Sequence, residues 1–94
     1  MTKDVKPTKV TVESEQAERQ KQFCDLVISR AAELAASEAG APVAMILDRM
    51  MTYATAQAAL NDGSPKTADA LRQVADKIEA GLFHELTGEG RRAN

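Results

Sequence analysis

Residues 42–63, Pro-Val-Ala-Met-Ile-Leu-Asp-Arg-Met-Met-Thr-Tyr-Ala-Thr-Ala-Gln-Ala-Ala-Leu-Asn-Asp-Gly, decide the fold class. Pro42 suits a first helical position, because its missing N–H is not needed there and its φ is already helical. Asn61-Asp62-Gly63 ends the segment, so a helix is expected from Pro42 to about Leu60. At 100° per residue, Val43, Ile46, Leu47, Met50, Met51, Tyr53, Ala54, Ala58 and Leu60 spread over about half the circumference. Asp48, Thr52 and Thr55 form the only clear polar strip. A helix that apolar must be covered on more than one side, which makes it the central element.

The flanking segments read as helices too. Upstream, Ser14 is placed to cap a helix running to Ala39, with Glu15 at its positive end and Gly40 as its stop. Phe23, Leu26, Val27, Ile28, Ala31, Leu34 and Ala35 share a broad face of that helix, and Glu18, Asp25, Ser29 and Glu33 lie away from it. Downstream, Ser64 caps, Pro65 opens and Gly81 closes a third helix. Its stripe of Ala68, Leu71, Val74, Ala75 and Ile78 is narrow, as on an edge helix with one wet face. Leu82, Phe83 and Leu86 are spaced for one more helical turn, folded back onto the core.

The composition agrees. Alanine, the best helix former, fills 17 of 94 positions, and aromatics make up only 3%. The expected fold is therefore all-α: an antiparallel three-helix bundle over residues 14–88 with a short C-terminal helical hook. Residues 1–13 and 89–94 are expected to be flexible tails, since neither can bury enough apolar surface to offset ordering entropy. The alternation Lys9-Val10-Thr11-Val12-Glu13 also has the period of a short strand.

Charge limits the function classes. The net charge is −2, and the tails hold a small positive excess over an acidic body. Extended phosphate-backbone contact needs clustered Lys and Arg, so nucleic acid is not the expected partner. One cysteine precludes an internal disulfide, and one Cys with one His cannot make a zinc site. Without a membrane-length apolar run or a signal-peptide pattern, the expected compartment is the cytoplasm. No phosphate loop, carboxylate pair or nucleophile elbow is present. No cofactor is expected, and no enzyme. Cys24 and His84 are the sole nucleophile–base combination, but Cys24 sits among Phe23, Ile28 and Ala31. Burial there is expected to make it a slow-reacting small hydrophobe.

Four features point to contacts instead. Met45, Arg49, Tyr53, Ala56 and Leu60 lie on a flank of the central helix that its neighbours are expected to leave open. That flank suits a homodimer, because methionine adapts its shape and alanine permits close approach. Arg30 and Gln57 fall within apolar arcs, where a polar contact would fix helix register. Ala56, Gly63, Ala68 and Ala75 stand at spacings similar to the small positions of a tetratricopeptide unit. Thr52, Thr55 and Arg72 occupy its bulky positions, so the pattern reads as a tight αα-hairpin. Finally, Lys9-Val10-Thr11-Val12 followed by two helices joined near Gly40-Ala41-Pro42 resembles the ribbon-helix-helix DNA binders. That resemblance implies a regulator whose paired ribbons read the major groove, with a first helix about twice the usual length and a third helix added. The expected function is a protein–protein interaction module that self-associates and also serves an unidentified protein partner, with a DNA-binding regulator as the alternative.

Overall fold

A computed structural model describes residues 9–92. The chain is all-α. Three long helices, α1 (Lys9–Ala39), α2 (Val43–Asp62) and α3 (Ser64–Glu79), are followed by two single turns, α4 (His84–Thr87) and α5 (Glu89–Arg92). No strand occurs among the described residues. Two units divide the chain, with the boundary inside α2 between Leu47 and Asp48.

In the first unit α1 starts at Lys9, five residues before Ser14. Residues 9–13, expected in the flexible tail and read alternatively as a short strand, are helix, so these residues do not form the ribbon that the DNA-binding resemblance implies. A lone strand leaves its N–H and C=O groups without a ladder partner, whereas a helix satisfies them within its own segment. Whatever was expected of residues 1–8, 93 and 94 lies outside the described residues. Gly40, at φ +64°, ends α1 as expected. Beyond it the Ala41 amide donates back to the Ala35 carbonyl at 3.2 Å, satisfying one of the orphan acceptors of the helix end. Pro42 stands just ahead of α2, and its carbonyl accepts the Ile46 amide at 3.0 Å. Ile46 is the one large apolar side chain buried among the described residues, and it is not completely enclosed.

The second unit turns on Gly63. This residue alone joins α2 to α3, at φ +89° and ψ +156°, a backbone region essentially closed to residues with a Cβ. The Gly63 amide continues the α2 ladder to the Ala59 carbonyl at 2.8 Å. Its own carbonyl accepts both the Thr67 amide at 3.1 Å and the Thr67 hydroxyl at 2.9 Å. Gly63 thus occupies the N-cap position expected of Ser64, and no side chain caps the helix. Thr67 is buried at this corner. Ala54, Thr55, Ala58, Thr67, Ala70 and Leu71 line the groove between the two helices, a volume of about 340 Å³ with Asp62 and Lys66 on its rim. The groove is lined mainly by small residues, but α2 and α3 do not pack closely along it, so the tight αα-hairpin expected from the spacing is not formed.

Gly81 closes α3 in a Schellman motif. The Leu82 amide donates to the Lys77 carbonyl at 3.0 Å and the Gly81 amide to Ile78 at 3.1 Å. The chain then turns through α4, which Gly88 ends in the left-handed conformation, and into α5. Residues 89–92, expected in a tail, are thus a helical turn. The half-buried His84 imidazole lies against both glycines flanking these turns, so closely that a Cβ on Gly81 would sit 3.0 Å from its Nδ1. The hook exists, but its apolar side chains are not folded onto a core: Leu86 is 85% exposed, and Leu82 and Phe83 are about half exposed. Local glycine caps set its path, and these close hydrogen bonds within the segment without burying side chains.

The geometry at Gly63 makes a quantitative claim. Gly63→Ala has room for its methyl, with only the Pro65 ring within 4.0 Å, so the cost is conformational. We expect a loss of about 1–3 kcal/mol of stability in urea unfolding with helix content retained at low denaturant. An unchanged unfolding midpoint would mean the α2–α3 corner is not formed as described.

Candidate interaction surface

Helix 2 presents its stripe in the expected form. Met45, Arg49, Tyr53, Ala56 and Leu60 fall within an arc of about 80° at 100° per residue. All five are exposed: Met45 54%, Tyr53 69% and Leu60 81%, with Arg49 and Ala56 also open. In the second unit, Thr55 and Ala58 of α2 face the α3 groove and stand well round the helix from Tyr53 and Leu60. Of the five, Ala56 also borders α3, sharing a shallow surface with Thr55, Ala59, Thr67 and Leu71, and stays exposed there.

Polar neighbours of the stripe are occupied locally. The Thr52 hydroxyl donates to the Asp48 carbonyl and the Thr55 hydroxyl to the Met51 carbonyl, each at 2.8 Å. Arg49 reaches the Asp48 carboxylate at 3.7 Å, an exposed pair of little energetic weight. Its guanidinium remains available to a partner. The surface is thus a low, apolar ridge of methyl, thioether and phenol groups with one cation, suited to packing against another apolar helix.

Other residues singled out in the sequence lie elsewhere. Arg30 and Gln57 are both exposed, so neither makes a buried polar contact within the chain. Each lies on an apolar arc, but nothing in its own unit encloses that arc. Cys24 is likewise exposed, contrary to the expectation of burial. It lies with Gln16, Arg19, Gln20 and Phe23 along one face of α1, a shallow surface with no opposing wall. His84 belongs to the other unit. Among the described residues no three His, Cys, Asp or Glu side chains are grouped to hold a metal. The α2–α3 groove holds no nucleophile–base pair. Its two hydroxyls, Thr55 and Thr67, already donate to backbone carbonyls.

Two features escaped sequence reading. Thr67, which the sequence reading did not single out, is buried, and it stands in line with Leu71, Val74 and Ile78 on the stripe of α3. The spacing Gly63–Thr67, one helical turn, was the available signal, since a threonine can return its hydroxyl to the carbonyl four residues back. The other is the extent of open apolar surface on α1, where Phe23 is 65%, Val27 50% and Leu34 60% exposed. No helix among the described residues is long and apolar enough to cross a membrane. The chain matches no family model, no curated protein and no solved structure.

Exposure of Cys24 is directly checkable. In dilute native protein at neutral pH, one thiol per chain should react with a thiol reagent without denaturant. A thiol that labels only after urea is added would restore the buried cysteine that its apolar neighbours suggested.

Proposed function

We propose that the protein is a non-catalytic interaction module that works by self-association, as a homodimer to which the α2 stripe contributes. One observation carries this reading. Of the large apolar side chains described, Ile46 alone is buried and Met50 is half-buried, while eighteen others, from Ile78 at 44% to Leu86 at 85%, remain open to solvent. Such surface is costly to leave wet, and large contiguous apolar patches mark interaction sites. Isolated helices are marginal in water and take most of their stability from packing of an apolar face. A second copy supplies a matching face at no genetic cost, and two-fold dimers are the commonest oligomers. We place this activity in the cytoplasm, where a lone exposed thiol such as Cys24 stays reduced.

Magnitudes show what the stripe can and cannot do. Met45, Tyr53 and Leu60 from two copies make six large side chains. At roughly 1.5–3 kcal/mol for each full burial, scaled to their present exposure, they offer on the order of 10 kcal/mol. Association costs an estimated 4–15 kcal/mol. The stripe alone is near balance, so a stable assembly draws on further surface.

Sedimentation equilibrium of the full chain at micromolar concentration tests the reading. We expect a mass above that of one chain, with Tyr53→Asp and Leu60→Asp each shifting it toward the monomer. A monomeric wild type removes self-association, and an oligomer indifferent to both substitutions removes the α2 stripe from the interface.

A further inference from the structure

The second surface is on α1, and its charge pattern identifies what covers it. Along this helix Gln16, Gln20, Phe23, Val27, Arg30 and Leu34 recur at alternating spacings of four and three residues. That is the seam spacing of a two-stranded coiled coil. Phe23, Val27 and Leu34 are at least half exposed, and Arg30 is exposed among them. Arg19, Leu26 and Glu33 flank the seam on one side, and Ala17, Cys24, Ala31 and Glu38 flank it on the other. All of these residues are in the first unit.

We infer that α1 pairs with α1 of a second copy, antiparallel about a two-fold axis close to Cys24–Leu26. The inference rests on the self-association reading and names where a second contact lies. A parallel pair is disfavoured by charge. It would set Arg30 against Arg30 in the seam and bring Glu33 against Glu38 of the other copy, since the two flanks face each other in a parallel coil. In an antiparallel pair each flank meets itself, and the seam offers registers one heptad apart. One register places Phe23 against Val27 of the second copy, twice. The same register sets Leu26 against Leu26 at the axis, Gln20 beside Arg30, and Arg19 opposite Glu33, again twice. Sliding by one heptad one way leaves Leu26 facing Glu33 and Val27 facing Arg30. Sliding by a second heptad sets Glu33 against Glu33. Sliding the other way leaves Arg19 facing Leu26. The first register also sets Gln16 against Leu34, yet it alone joins the Phe23–Val27 contacts to two Arg19–Glu33 pairs with no like charges facing, and agreement of independent features is the mark of a specified arrangement.

In this register Arg30 also acquires a role. Its guanidinium lies beside the Gln20 amide of the second copy, which accepts a hydrogen bond through its carbonyl oxygen. The two symmetric Gln20–Arg30 layers cost stability but select the register, as buried polar positions in coiled coils do. Cys24 faces Cys24 across the axis, so the native thiol reports the pairing without any engineering.

The test is a charge swap in the full chain. A short bis-maleimide should cross-link wild-type dimers through Cys24. Arg19→Glu and Glu33→Arg, each alone, put like charges at two symmetric contacts and should weaken association by roughly tenfold. The double variant restores opposite charges and should return association to within about threefold of wild type. Rescue cannot arise inside one chain, because the two residues are about 21 Å apart along a straight helix. Circular dichroism of each variant checks that helix content is retained. Single variants that associate like wild type, or a double variant as weak as the singles while still helical, overturn the α1 pairing and leave self-association standing. A wild type that stays monomeric and uncross-linked at every concentration overturns both.

Discussion

Apolar helix surface that its own chain leaves open is the constraint from which the account proceeds. A helix of 31 residues such as α1, with half-exposed or more open Phe23, Val27 and Leu34, cannot draw its stability from backbone hydrogen bonds alone. The same holds for Tyr53 and Leu60 on α2. Alanine supplies helix propensity, but its single methyl adds little burial. Abundant alanine therefore gives helices that form readily and bury little. A domain below 100 residues has little core to begin with.

Glycine and threonine do at the corners what large side chains do in a bigger core. Gly63 allows α2 and α3 to meet across one residue, and the two hydrogen bonds that Thr67 donates to its carbonyl hold the first turn of α3 against it. Gly81 and Gly88 turn the chain beyond α3 with positive φ, and the His84 side chain fills the space that the absent Cβ atoms of Gly81 and Gly90 leave. These devices are local. They fix the path of the backbone without enclosing apolar side chains, which is why Leu82, Phe83 and Leu86 remain open after the turns are made.

The helices and their stops were legible in the sequence because they depend on short-range physics. Gly40, Gly63 and Gly81 each end a helix where the periodic pattern breaks, and the open flank of α2 followed from an arc too wide for its neighbours. The first turns of α1 were not legible. Val10 and Val12 alternate with polar residues, and the strand period they mimic says nothing about whether a pairing strand exists. Burial was the other failure. Cys24 lies on an apolar arc, so it read as interior, but an arc shows which side of a helix is apolar and not what covers it. Thr67 was not singled out, being polar by composition, yet it is buried with its hydroxyl satisfied by the carbonyl one turn back.

The central claim is that folding of this chain is coupled to its association. Thermal unfolding of the full chain, followed by circular dichroism over a hundredfold range of protein concentration, tests this most directly. Mass action requires a midpoint that rises with concentration when the folded state is an oligomer and the unfolded state a monomer. The account predicts that rise. A midpoint that stays constant across the range, with full helix content in the most dilute sample, would contradict it.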